Sequence, residues 1–171
     1  MKEDSVIALF CLIDDVLKAY HHKRLRDPSQ ESMTDSEVIF AGILSARWFA
    51  GNLRNGLAYV FERGYCLKVF SEGRFLRRLK AISQEIWAIL LSFFAKAAGA
   101  YNTGEYIIDS FPVPVCHNIR ISRCRILQGP QYRGYNAIKK QFFYGLKEHA
   151  IVNTSGIPIC FECYPGATYD A

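Results

Sequence analysis

One acid, Asp109, stands in an otherwise apolar, strand-forming run, Tyr106-Ile107-Ile108-Asp109-Ser110-Phe111. The stretch that follows, Cys116 to Lys147, carries Arg120, Arg123, Arg125, Arg133, Lys139, Lys140 and Lys147 and contains no Asp or Glu. A carboxylate on a rigid strand can hold a divalent cation beside a phosphodiester while cationic side chains neutralise the flanking phosphates. Asp109 is thus the candidate catalytic and metal-ligating residue. Its plain alternative is a strand-end acid that caps a turn into Ser110-Phe111-Pro112.

Tyr132, Tyr135, Phe142, Phe143 and Tyr144 are interspersed among the cations. Like charges at this density repel unless an anion arrives, and aromatic rings among them can stack on exposed bases. The competing reading is a loop whose charges confer solubility alone. Within Phe143 to His149, strand alternation places Gly145, Lys147 and His149 on one face and Tyr144, Leu146 and Glu148 on the other. The glycine leaves room for a ligand beside Lys147 and His149, the candidate supporting residues. A lone histidine at this place is more commonly structural, and His117, in a loop, has nothing to fix its tautomer.

A second basic cluster lies earlier in the chain. In Arg74-Phe75-Leu76-Arg77-Arg78-Leu79-Lys80, Arg74, Arg77 and Arg78 are three and four apart, hence neighbours on a helix, with Phe75, Leu76 and Leu79 free to pack inward. Such a face suits a phosphate backbone or a major groove, or else is simply solvated. The DNA-contact candidates are Arg74, Arg77, Arg78, Arg120, Arg123, Arg125, Arg133, Lys139 and Lys140.

The elements that must position these groups fall into two kinds. Val6, Ile7, Leu9, Phe10, Ile13, Val16 and Leu17 recur at helical spacing, and a charged linker follows, ending near Asp27-Pro28. Thr34-Asp35-Ser36-Glu37 has the form of a capping box ahead of the apolar run Val38 to Phe49. Gly51, Asn52 and Gly56 interrupt that helix, Ser71 caps another, and Ser83 begins a long apolar helix that Gly99 ends. Thereafter the period changes. Glu105 to Val115, Gln141 to Val152 and Ile157 to Tyr164 read as strands, with Pro112 and Pro114 marking an edge or an exit and Asn153-Thr154-Ser155-Gly156 supplying a hairpin turn. Residues 1–100 form a helical, DNA-binding domain in this reading, and 101–171 a second domain.

With 171 residues, 50% hydrophobic and 22% charged, the chain has a globular composition, and its formal charge of +5 favours a polyanionic partner. Six scattered cysteines without a signal peptide ahead of them read as free thiols of a reducing cytoplasm. Cys160 and Cys163 have the spacing of a zinc or redox pair, but on a strand they face opposite sides and are expected to be buried. The apolar segment Ile86 to Ala98 is shorter than the roughly 20 residues that cross a bilayer and reads as a core helix, so no membrane partner is expected.

Tyr106 to Cys116, with Arg120, Tyr144-Gly145-Leu146-Lys147-Glu148-His149 and Tyr164-Pro165-Gly166, resembles DDE-type insertion-sequence transposases, closest to the group numbered nine-eighty-two and akin to those of insertion sequence four. The resemblance is dense from Gly104 onward and extends over the helical half through Thr34 to Glu37 and Arg74 to Arg78. It implies an α+β protein: an all-helical N-terminal domain followed by the first strands of an incomplete ribonuclease-H-like mixed sheet. It also implies a catalytic site in which three acids hold two Mg2+ ions for in-line attack on DNA phosphates. Asp109 matches the first acid, and Lys147 and His149 match positions near the scissile phosphate or the metal-bound acid.

In such enzymes the second Asp and the final Glu follow further strands, and the sequence ends at Ala171 before reaching them; Asp170 falls in a turn with a structural role. The resemblance therefore implies a C-terminally truncated transposase fragment, with three of about five strands and weak or absent Mg2+ binding. It implies no strand cleavage by the chain alone. Specific cuts abolished by Asp109→Ala would overturn that expectation. DNA, in the form of terminal inverted repeats, is the partner implied, along with self-association or association with full-length transposase. Two alternatives stand beside this one: a non-enzymatic DNA-binding remnant that inhibits intact transposase, and a pseudogene product that never accumulates folded.

Overall fold

The computed structural model describes residues 3–20 and 33–169. The linker near Asp27-Pro28 and Asp170 lie outside the described residues. Two compact units divide the chain, residues 1–90 and 91–171. The architecture is α+β, with helices in the N-terminal part and a four-stranded sheet in the C-terminal part.

The first unit is built around α2, Asp35–Trp48. The capping box forms as the sequence predicts: Glu37 N donates to Thr34 Oγ1 at 3.2 Å and Thr34 N donates to Glu37 Oε2 at 2.6 Å. Helix α1, Glu3–Ala19, buries Val6, Ile13, Val16 and Leu17, and Ser36 Oγ on α2 donates to Asp14 Oδ1 at 2.7 Å. Phe40 of α2 meets the rings of Phe10 and Tyr65 edge-on at 5.5 and 5.8 Å.

Helix α3, Leu53–Glu62, starts from Asn52, whose Oδ1 accepts from Asn55 N. Gly56 does not interrupt this region: it lies inside α3, where a Cβ would stand 1.8 Å from Ser45 Oγ. Its lack of a side chain lets α3 approach α2 closely. Helix α4, Glu72–Ala81, begins after Ser71, although that hydroxyl makes no cap hydrogen bond. Its inward stripe is Phe75, Arg78, Leu79 and Ile82; Leu76, expected inside, is exposed. Leu79 packs onto Gly42 of α2. Helix α5, Gln84–Ala97, is the predicted apolar helix, and Gly99, with φ +75°, follows its end. No helix of the described residues is long and apolar enough to cross a membrane.

Cys66 is buried at the edge of this core, and desolvation, reinforced by the Glu37 carboxylate, pushes its thiol up to about 12 from an ordinary 9.0. A thiol raised in the folded state stabilises fully below its unfolded pKa, and that contribution is lost as pH rises from 9.0 toward about 12. Urea midpoints measured at about pH 8 and about pH 10.5 should therefore fall more for the native chain than for Cys66→Ala.

The second unit is an antiparallel sheet of β1, Tyr106–Cys116; β2, Arg133–Asn136; β3, Gln141–Asn153; and β4, Pro158–Pro165. Strand β2 is additional to the three expected. β3 is central: β1 runs along one edge, and β2 and β4 share the other, pairing with residues 141–144 and 146–152. Among the described residues β1 pairs with β3 alone, in keeping with Pro112 and Pro114 in its sequence.

The β3–β4 turn is organised by Asn153, which is 1% exposed. Its Oδ1 accepts from Ser155 N and Ile157 N at 3.0 and 2.9 Å, while Gly156 takes φ +77°. Gly145 overturns the expectation of ligand room: a Cβ there would lie 2.1 Å from Val113 O, so the β1 backbone already fills the space.

Candidate active site

Sheet register decides which side chains share a face. Ser110 pairs with His149 and His149 with Glu162, while Pro112 pairs with Lys147 and Lys147 with Tyr164. Ser110, Lys147, His149, Glu162 and Tyr164 therefore occupy one face. Asp109 pairs with Ala150 and so leaves the sheet on the opposite face, with Phe111 and Glu148. Lys147 and His149 share a face as their spacing predicts; Asp109 does not join them there.

A cleft of about 250 Å³ nevertheless borders all three. Five consecutive β1 residues, Ile108 to Pro112, line it, and consecutive strand residues point alternately. The cleft thus runs along the open edge of β1 as well as over the Lys147 face, and Tyr135 and Asn136 at the end of β2 and Ala137 and Ile138 of the β2–β3 turn also line it. Ser110 and Asn136 escaped the sequence reading, which took Tyr135 as a ring among the cations and not as a neighbour of Asp109. Strand parity next to Asp109 could have found Ser110, but the end of β2 comes to line the cleft with β1 only through folding.

Asp109 is exposed, and its Oδ1 accepts from Ser110 N at 2.8 Å. This is the local contact that the turn-capping alternative anticipates, and it leaves the rest of the carboxylate at the cleft edge. Lys147 is 8% exposed and its Nζ donates to Thr168 O at 2.7 Å, tying β3 to the segment after β4. His149 stacks at 5.0 Å from Tyr164, tilted by 58°. Its Nε2 is buried without a hydrogen-bond partner among the described residues, whereas the Tyr164 hydroxyl donates to Glu162. That hydrogen bond holds the Tyr164 hydroxyl above its usual pKa.

As a ligand set, an exposed carboxylate at an open edge fits one largely hydrated divalent cation, which commonly takes one or two carboxylates and keeps its waters. A two-ion site is not assembled by these groups: no cluster of three or more His, Cys, Asp or Glu occurs among the described residues.

The cationic candidates differ in their surroundings. Arg120 and Arg123 lie on a 3-10 turn, Asn118–Arg123, and with Arg125, Arg133, Lys139 and Lys140 they are exposed. Arg74 and Arg77 are exposed on α4; Arg74 packs over Phe70, and Arg77 Nε donates to Gly73 O. Arg78 is not on that surface. Its side chain is 11% exposed and paired with Asp35, itself 3% exposed, because position 78 falls on the inward stripe of α4. Cys160 and Cys163 point to opposite faces as expected, but both are exposed, not buried.

Residues 99–171 match the model of a family described as the transposase DDE domain, a segment that takes in all four strands and Asp109. The match relates the segment of residues 99–171 to DDE transposase domains. No curated protein and no solved structure matches it.

Proposed function

We propose that this chain is the DNA-binding and first-carboxylate portion of a transposase of the group numbered nine-eighty-two, acting on the ends of an insertion sequence. The observation that carries the reading is Asp109: a lone exposed carboxylate on an edge strand within the matched segment, bordering a cleft with Lys147 and His149. Asp109 would hold the divalent cation, Mg2+ in this reading, which when bound polarises a phosphoryl oxygen. Lys147 fixes the segment after β4 against β3 through Thr168, and His149 packs on Tyr164 to shape the floor of the cleft. These are supporting roles that act through neighbours.

The helical residues 1–100 and the basic segment of residues 101–171 grip DNA in this proposal. Arg120, Arg123, Arg125, Arg133, Lys139 and Lys140 flank the strands as exposed charges, and Arg74 and Arg77 supply a second patch. Terminal inverted repeats are the proposed target, and a ribonuclease-H-like fold the proposed affiliation of the sheet. The meander of β1, β3 and β4, with β3 central, supports that affiliation.

Binding measured by fluorescence anisotropy over a series of salt concentrations tests this function. Each phosphate neutralised contributes about 0.9 to the slope of log K against log salt, so the triple change of Arg120, Arg123 and Arg125 to Ala should flatten the slope by about 2.7. An unchanged slope would remove these residues from the interface. A preference for inverted-repeat over random duplex is expected for end recognition, and equal affinity would reduce the interaction to its electrostatic baseline.

A further inference from the structure

The fold sorts the aromatic residues of the basic segment into two groups. Phe143 and Tyr144 are buried and Tyr132 is half-buried against Tyr144, whereas Tyr135 and Phe142 are 48% and 66% exposed. Strand alternation is the reason. Gly134 and Phe143 pair across β2 and β3 and turn inward, where a Cβ on Gly134 would meet the Phe143 ring and Gly166 O, each at 2.3 Å. Their neighbours Tyr135 and Phe142 pair with each other and turn outward, with ring centroids 4.9 Å apart and planes inclined at 55°.

The hairpin that carries the two rings has a fixed tip and a uniform charge. Asn136 Oδ1 accepts from Lys139 N at 2.9 Å and Lys140 N donates to Ala137 O at 3.3 Å, which holds Lys140 at φ +49°. Arg133 shares the face of Tyr135, Lys139 and Lys140 stand at the tip, and all three are exposed. Exposed rings grouped in this way mark a docking surface. A second copy of the chain, docked through the same patch, would bring the three cations against themselves, and no Asp or Glu between Cys116 and Lys147 offsets them. A nucleic-acid strand complements both features, with flat bases for the rings and phosphates for the cations. Alternation along β3 also sets Phe142 on the Glu148 face, which is that of Asp109, and Tyr135 lines the cleft that Asp109 borders.

We propose that Tyr135 and Phe142 form a stacking platform for unpaired bases, which holds a single-stranded stretch of DNA beside the Asp109 cleft. Every base has a π-face, so the platform reads strandedness and not sequence, while bases inside a duplex are already stacked on one another and offer it no free face. Arg133, Lys139 and Lys140 take the flanking phosphates. The inference rests on the nucleic-acid function proposed above and adds the form of DNA that is bound.

The test compares the affinity of the full chain for oligothymidylate and for blunt duplex at one salt concentration, the oligothymidylate carrying one fluorescent adenine analogue whose emission falls on stacking. Binding to the native chain should quench that emission. Tyr135→Leu combined with Phe142→Leu, which keeps an apolar cross-strand pair, should abolish the quenching and lower the ratio of single-strand to duplex affinity by about tenfold. Tyr135→Phe should retain both the quenching and the ratio. An unquenched probe on the native chain, or an unchanged ratio in the leucine variant because both affinities fall together, would overturn the platform. Such a failure alongside duplex binding with its expected salt slope would leave the proposed function standing. Quenching without duplex binding would support the platform and remove the duplex grip instead.

Discussion

Arg78→Ala is expected to destabilise the helical unit by about 3 kcal/mol, read as a fall in the urea midpoint followed by the fluorescence of Trp48 and Trp87. The guanidinium and the Asp35 carboxylate are both shielded from water, and removing one member of a buried pair leaves the desolvation cost of the other incompletely offset. Asp35 sits in the first turn of α2, whose dipole favours a negative charge, which holds the cost near the low end of the usual 3–5 kcal/mol. Arg74→Ala and Arg77→Ala, on the exposed side of the same helix, should change stability by no more than about 0.5 kcal/mol. The double change of Asp35→Asn with Arg78→Met should cost less than the sum of its parts. Equal effects at positions 74, 77 and 78 would refute the assignment of Arg78 to the core.

Gly145→Ala is expected to cost the sheet about 3 kcal/mol, at the upper end of the range for overpacking. The new Cβ would lie 2.1 Å from Val113 O and 2.9 Å from Pro114 Cα, which are backbone atoms that no rotamer change can move aside. Relief requires β1 to separate from β3 where Pro114 and Gly145 pair, and Gly166, whose N–H donates to Gly145 O at 3.0 Å, must follow. Hydrogen exchange should show early loss of protection along β3, beginning near Leu146. Full protection in Gly145→Ala would mean that β1 does not approach β3 so closely.

Local chemistry was legible in the sequence wherever its partners were close along the chain. The Thr34–Glu37 box, the Asn153 turn and the limits of β1, β3 and β4 depend on residues within a few positions of one another. What depended on distant partners was not legible. Helical spacing grouped Arg78 with Arg74 and Arg77, but Asp35, which draws Arg78 inward, lies 43 positions away. Alternation within β3 correctly separated Lys147 and His149 from Glu148, yet it carries no information on how β1 is registered against β3. That register sets Asp109 opposite Ala150. Gly145 was visible as a gap, and only the fold shows that Val113 fills it. β2 is four residues long, and Arg133 and Gly134 within it give no apolar run to detect.

Asp109 carries the functional account, and its position asks for a direct measurement. Mn2+ titrated into the isotopically labelled chain with duplex DNA should broaden the amide resonances of Ile108 to Phe111 and of Ala150 across the β1–β3 pair, and Asp109→Asn should abolish that broadening. Broadening centred on other acids, or the same broadening in Asp109→Asn, would contradict a metal-holding role for this carboxylate.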